Sequence, residues 1–186
     1  LALQDTLSNI LARLHTVATR QTRQGDYIRL ASGEEGYVND ITWRNTTVQT
    51  LPNNMVIIPN SKLAGAIVTN YNLPDREMAV LVQVGVSYAS DLDHVERVTV
   101  EVASELLREV QGGASGFDPF IRYHTFADFS INFTVILRGK EYVDQHLLKH
   151  EFVKRLHRRY AREKIEIPFP IRTLHIKQEA PAQEGD

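Results

Sequence analysis

A chain of 186 residues, 42% hydrophobic and 24% charged, has the length of one large or two small domains and the composition of an ordinary folded protein. Its formal charge of -2, from 21 basic and 23 acidic residues, gives no global pull toward nucleic acid or an anionic bilayer. It contains no cysteine, which excludes disulfides, thiol catalysis and thiolate metal sites and fits a reducing compartment.

Residues 2–19 carry the pattern of an amphipathic helix. Leu3, Leu7, Ile10, Leu11, Leu14, Val17 and Ala18 recur at spacings of three and four, while Asp5, Ser8, Asn9 and Arg13 fall largely off that stripe. The stripe either packs on its own domain or meets lipid or copies of itself. The strand-rich stretch that follows offers little surface for so long a face. No run reaches the ~20 apolar residues that a membrane helix needs. The chain opens inside this helix without Met, so we expect a fragment whose missing upstream part is membrane-embedded.

Residues 25–73 read as a small all-β domain. Asp26 to Leu30 starts it, and Gly33 and Gly36 bracket a turn. Val38 and Ile41 are core candidates. Thr46, Val48 and Thr50 share one strand face, and Pro52-Asn53-Asn54 signals a turn. Met55, Val56, Ile57 and Ile58 form an uninterrupted apolar run. Side chains alternate faces along a strand, so such a run expects cover on both sides, either in the core or at a subunit contact. Pro59 ends the strand, and Asn60 or Ser61 is placed to cap a short helical turn. Asn70 to Pro74 marks the passage to a second domain.

Residues 74–170 follow the order strand, helix, strand, strand, helix, which predicts an α+β layer of ferredoxin-like type. Met78 to Val86 is the first strand. Ser90 or Asp91 caps a helix reaching about Val110, and Gln111-Gly112-Gly113 stops it. Ile121 to Phe126 and Phe129 to Arg138 are strands, the second with Phe129, Ile131, Phe133, Val135 and Leu137 on one face. A second helix over 142–161 turns Leu147, Leu148, Phe152, Leu156 and Tyr160 inward. Pro168 and Pro170 interrupt the chain, and Arg172 to Lys177 reads as one last strand. Residues 179–186 are short and polar, with the composition of a disordered tail.

Reactive constellations are weak. Asp91 and Asp93 read as helix capping. His146 and His150 share a helix face with His157 and Glu151 nearby, but HLLKH lacks the zincin glutamate. Ser61-Lys62 has no second motif of a serine–lysine nucleophile. The run from Gly112 to Gly116 lacks a phosphate-loop lysine, and Trp43 with Arg44 reads as an ordinary aromatic, not a base-stacking pair. Lys149, Lys154, Arg155, Arg158 and Arg159 make a local basic region. These readings imply no catalysis, no cofactor, no metal and no nucleic-acid partner.

Three stretches resemble the small-conductance mechanosensitive channel family: LALQDTLSN at residues 1–9, GDYIRL at 25–30 with Gly36-Tyr37-Val38 and Thr46 to Thr50, and residues 55–70 with Val56-Ile57-Ile58-Pro59-Asn60-Ser61-Lys62-Leu63. Pro168-Phe169-Pro170 agrees in order, so the resemblance covers about residues 1–178. It implies a multidomain fold. Residues 1–24 would end a pore-lining or amphipathic helix with Leu7, Leu11 and Leu14 toward the pore. A barrel-like (Sm-like) β domain, an α+β vestibule domain, and an oligomeric barrel strand at 171–178 would follow. It also implies a tension-gated homoheptamer in a cell membrane, by expectation the bacterial inner membrane. Lipid would be met by upstream helices and this region would face the cytoplasm. The pore would release ions and small osmolytes under hypo-osmotic stress. Met55 to Ile58 would form the oligomer interface, and Pro59, Asn60, Ser61 and Lys62 are the family signature. Arg13, His15, Thr16, Thr22 and Gln24 depart from the small, apolar residues the family would place there. A second reading of the same residues is a soluble small-ligand-binding regulatory module.

Overall fold

The computed structural model describes residues 22–170 together with Leu7 and Leu11. Among them run β1 (Tyr27–Leu30), β2 (Glu35–Ile41), β3 (Asn45–Gln49), β4 (Met55–Pro59), α1 (Asn60–Gly65), β5 (Val68–Asn70), β6 (Met78–Val86), α2 (Leu92–Glu109), β7 (Phe120–Phe126), β8 (Ile131–Gly139) and α3 (Asp144–Glu163). They build a mixed α/β fold with two antiparallel sheets, ordered β4-β3-β2-β1-β5 and β6-β8-β7.

The first sheet forms because alternation puts Ile28, Leu30, Val38, Val48 and Ile58 on one face, where Leu63 of α1 joins them. Gly36 lies inside β2, not in the turn with Gly33. A Cβ there would sit 2.2 Å from the Gln49 carbonyl oxygen, so only glycine lets β2 and β3 approach so closely. The turn after β3 holds Asn53 at φ 68°, a left-handed conformation that asparagine tolerates.

The expected barrel does not form. The sheet stays open, with β4 and β5 as its two edges and no ladder between them. The cause is local. β5 has three residues, all paired to β1, and α1 inserts Leu63 against the core where closure would need strand pairing.

The second sheet is the larger packing unit. Val80, Val82 and Val86 of β6 and Ile131, Phe133, Val135 and Leu137 of β8 face two helices. Helix α2 presents Val95, Val98, Val102, Leu106 and Leu107 at helical spacing, and α3 presents Leu148, Phe152, Leu156 and Tyr160. Leu147 does not turn inward. It is 45% exposed, one residue off the spine that Leu148 begins, and a helix rotates about 100° per residue. Phe129 precedes β8 and is half-buried. Asp91 is the N-cap of α2, its Oδ1 accepting from the amides of Asp93 and His94 at 3.1 and 3.2 Å. Past the end of α2, Gly112 adopts φ 86°, and a Cβ there would meet the Asp144 carboxyl carbon at 2.3 Å. Gly112 and Gly113 therefore form a tightly packed joint between α2 and α3. A ferredoxin-like sheet has four strands; this one has three among the described residues, and Arg172 to Lys177 lies outside them.

Candidate functional site

Strand β4 and the turn after it hold most of the residues singled out in the sequence. β4 pairs with β3 in the register Thr46↔Ile58, Thr47↔Ile57, Val48↔Val56 and Gln49↔Met55. That register turns Ile58 and Val56 toward the core and leaves Met55 and Ile57 49% and 62% exposed. The apolar run is thus not buried on both faces within one chain. Its second face is aliphatic surface on an edge strand whose outer side has no partner among the described residues.

The turn is fixed from inside. Asn60 does not act as a cap; the N-cap position of α1 is Pro59, and no side chain caps it. The Asn60 side chain is instead buried. Its Oδ1 accepts from the Thr46 hydroxyl at 2.9 Å, its Nδ2 donates to the Thr42 carbonyl at 3.0 Å, and its amide donates to the Arg44 carbonyl at 2.9 Å. One residue thereby satisfies polar groups from β3 and the β2–β3 turn, where unpaired groups would be costly. Ser61 and Lys62 are exposed, with Lys62 in the last turn of α1, where the helix dipole favours a cation. Trp43 stands in the same β2–β3 turn at 51% exposure.

At the other edge a buried carboxylate ties the incoming chain to the sheet. Asp26 Oδ2 accepts from the Arg23 amide and from Asn70 Nδ2, both at 2.8 Å, and the Tyr27 amide donates to Asn72 Oδ1 at 2.8 Å. Thr22 is buried, and Gln24 Nε2 donates to the Asn39 carbonyl at 2.8 Å. These two departures from small apolar residues therefore have places in the sheet. Arg13, His15 and Thr16 lie outside the described residues, as does Leu14. Leu7 and Leu11 are helical and exposed.

A tyrosine cluster joins the two sheets. The Tyr142 ring, just before α3, stacks on Tyr27 of β1 at 4.3 Å and lies 4.2 Å from Tyr71, while Tyr37 of β2 meets Tyr27 edge-on at 5.0 Å. Burial, then the Glu35 carboxylate, pushes the Tyr27 and Tyr142 phenols above the ordinary tyrosine range. Sequence reasoning missed both this cluster and the inward turn of Asn60. The only signal was a tyrosine near each element end, which carries no spacing rule. His146 and His150 lie on the exposed side of α3, and no three metal-ligating side chains converge among the described residues.

Residues 5–73 match the family described as "Mechanosensitive ion channel, beta-domain". Over 184 residues, 98% of its length, the chain is 31% identical to a small-conductance mechanosensitive channel of Edwardsiella ictaluri, and 32% identical over 182 residues to a protein of the MscS family in Synechocystis. The chain resembles the MscS family of mechanosensitive channels along nearly its whole length. It is also 25% identical over 183 residues to the channel MscMJ of Methanocaldococcus jannaschii. It spans 62%, 58% and 50% of the lengths of these three relatives. The MscS crystal structure from Helicobacter pylori in its closed state shares the fold, with a TM-score of 0.77 at 24% identity over 96% of this chain and 68% of that one. Arabidopsis thaliana MSL1 shares it at a TM-score of 0.65 and 18% identity, over 91% of this chain and 61% of the other. The family is one of ion-transport channels, not of enzymes, and no helix among the described residues is long and apolar enough to cross a membrane.

Proposed function

We propose that this chain is the vestibule and pore-proximal part of a tension-gated, homoheptameric ion channel. In this reading the channel releases ions and small osmolytes under hypo-osmotic stress, in a bacterial inner membrane with these residues toward the cytoplasm. Residues 1–24 end the pore-lining helix and present Leu7, Leu11 and Leu14 near the pore. Residues 25–73 and 74–170 act as two domains below it. The membrane segments that feel tension lie outside the residues described.

The β-domain match and the likeness to MscS-family proteins support the channel reading, and one structural observation carries the assembly. Met55 and Ile57 expose aliphatic surface on an edge strand with an open outer side, beside the Pro59-Asn60-Ser61-Lys62 turn. An unpaired apolar edge invites pairing with another chain, and a closed ring of identical copies satisfies every such edge at once. Copies related by rotation bring the Met55 to Ile58 strand of one subunit against its neighbour.

Light scattering of the purified chain tests this. The expected mass is that of seven copies, and the pair Met55→Lys with Ile57→Asp lowers it toward one copy while circular dichroism stays unchanged. Both residues are exposed, so each substitution costs the protomer about 0.5 kcal/mol or less. A wild-type mass of one copy at high micromolar concentration overturns the assembly.

A further inference from the structure

The outer side of the α2–α3 pair carries a cleft that the channel reading does not use. The two helices run antiparallel: Arg155 meets Glu109 at 2.6 Å, Arg159 meets Glu101 at 2.8 Å, and His94 meets Glu163 at 3.5 Å. Between them lies a groove of about 300 Å³, at the small end of ligand-sized clefts. Val102 and Glu105 of α2 and Arg155, Arg158, Arg159 and Arg162 of α3 line it.

The four guanidinium groups divide into two kinds. Arg155 and Arg159 are held by carboxylates of the fold, Arg159 by Glu163 as well at 2.8 Å. Arg158 donates only to the Lys154 carbonyl at 3.3 Å, and among the described residues no carboxylate pairs with Arg158 or Arg162. These two are four residues apart on one helix face, separated by about 6 Å along the axis. The paired arginines fix the rim, and the unpaired ones leave planar, multidentate donors beside the buried Val102 in an open groove. That is the donor chemistry which recognises phosphoryl groups. Glu105, on the opposite wall, has no basic partner among the described residues. It accepts hydrogen bonds only, so it suits a hydroxyl or amino donor and repels a bare phosphate.

We propose that this groove binds a small organic diphosphate. Arg158 and Arg162 hold the two phosphoryl groups, and Glu105 accepts from a hydroxyl of the organic part. The site lies on α2 and α3 and does not depend on β4 or on assembly. An ordinary solvated helix face would have the same arginines but no preference among anions.

Isothermal titration of the full chain with ADP, with inorganic pyrophosphate, and with vesicles containing phosphatidylglycerol tests this. The expected result is saturable binding of both soluble diphosphates. The double variant Arg158→Gln with Arg162→Gln weakens both at least about tenfold, while Glu105→Gln weakens ADP and not pyrophosphate. All three residues are solvent-facing, and an unchanged melting curve confirms the fold of each variant. Arg108→Gln, which removes a positive charge outside the groove, leaves both affinities in place. Absence of saturation with either soluble ligand overturns the proposal. So does equal binding by wild type and the double variant, or arginine-dependent binding to vesicles alone.

Discussion

Six buried aliphatic residues hold the five-stranded sheet, against nineteen buried apolar residues in the three-stranded sheet with α2 and α3. The first sheet has more strands but only one short helix, six residues long, packed on it. The larger core is built by two long amphipathic helices closing over one sheet face. Area removed from water sets the scale of stabilisation, so the α2–α3 layer is self-sufficient and the first sheet is marginal by itself. The first sheet compensates with polar fasteners, Asn60 at one edge and Asp26 at the other, and leaves the aliphatic side chains of Met55 and Ile57 exposed.

The sharpest way to break this contrast is to remove the centre of the large core. Phe133 is fully buried between the helices and the sheet, beside Tyr123 at 5.0 Å. Phe133→Ala is expected to cost about 4 kcal/mol, read as a fall in the urea midpoint of the α2–α3 layer. If the large core were not the more stable unit, it would already unfold before the first sheet in the wild type.

Asn60→Ala attacks the polar fastening. It leaves the Thr46 hydroxyl and the Thr42 carbonyl without the partner they have now, at a cost of roughly 2 kcal/mol. Hydrogen exchange is expected to speed in β3 and β4 and to stay slow in β6 and β8. Uniform acceleration across both sheets would show that they unfold as one.

Alkaline pH has the smallest effect and reaches both regions. Burial, partly offset by the hydrogen bond with Thr99, pushes the Tyr160 phenol up to about 12, and burial raises Tyr27, Tyr37, Tyr123 and Tyr142 as well. A folded-state pKa above the unfolded value of about 10 means the native fold favours the neutral phenol. The stability this gives is full below about pH 10 and is lost as the pH climbs toward about 12. At about pH 10.5 Tyr160 alone accounts for a loss on the order of 1 kcal/mol, and Tyr160→Phe is expected to melt with a shallower pH slope over that window.

Periodic features were legible in the sequence and long-range ones were not. The alternation Ile131, Phe133, Val135, Leu137 gave the inward face of β8, and Asp91 before an apolar helical stripe gave the start of α2. Leu147 failed because an apolar residue next to a helical spine looks like part of it. The barrel failed because closure depends on whether the first and last strands meet, and the three residues of β5 with the inward Leu63 decide that in space. Asn60 was legible as a turn residue but not as a buried hub, since Thr46 and Thr42 are 14 and 18 positions away. The basic run on α3 was visible, but the groove beside it needs α2 as its second wall.

Trp43 is the only tryptophan in the chain, and it sits in the exposed turn whose Arg44 carbonyl receives the Asn60 amide. All seven tyrosines lie elsewhere. Light absorbed by indole alone therefore reports on one corner of the molecule, beside the Met55 to Pro59 strand. Emission from that ring shifts to the blue when a second surface covers the corner and stays red when the corner is wet. The protein thus carries its own optical gauge of whether that edge has found company, with no label attached.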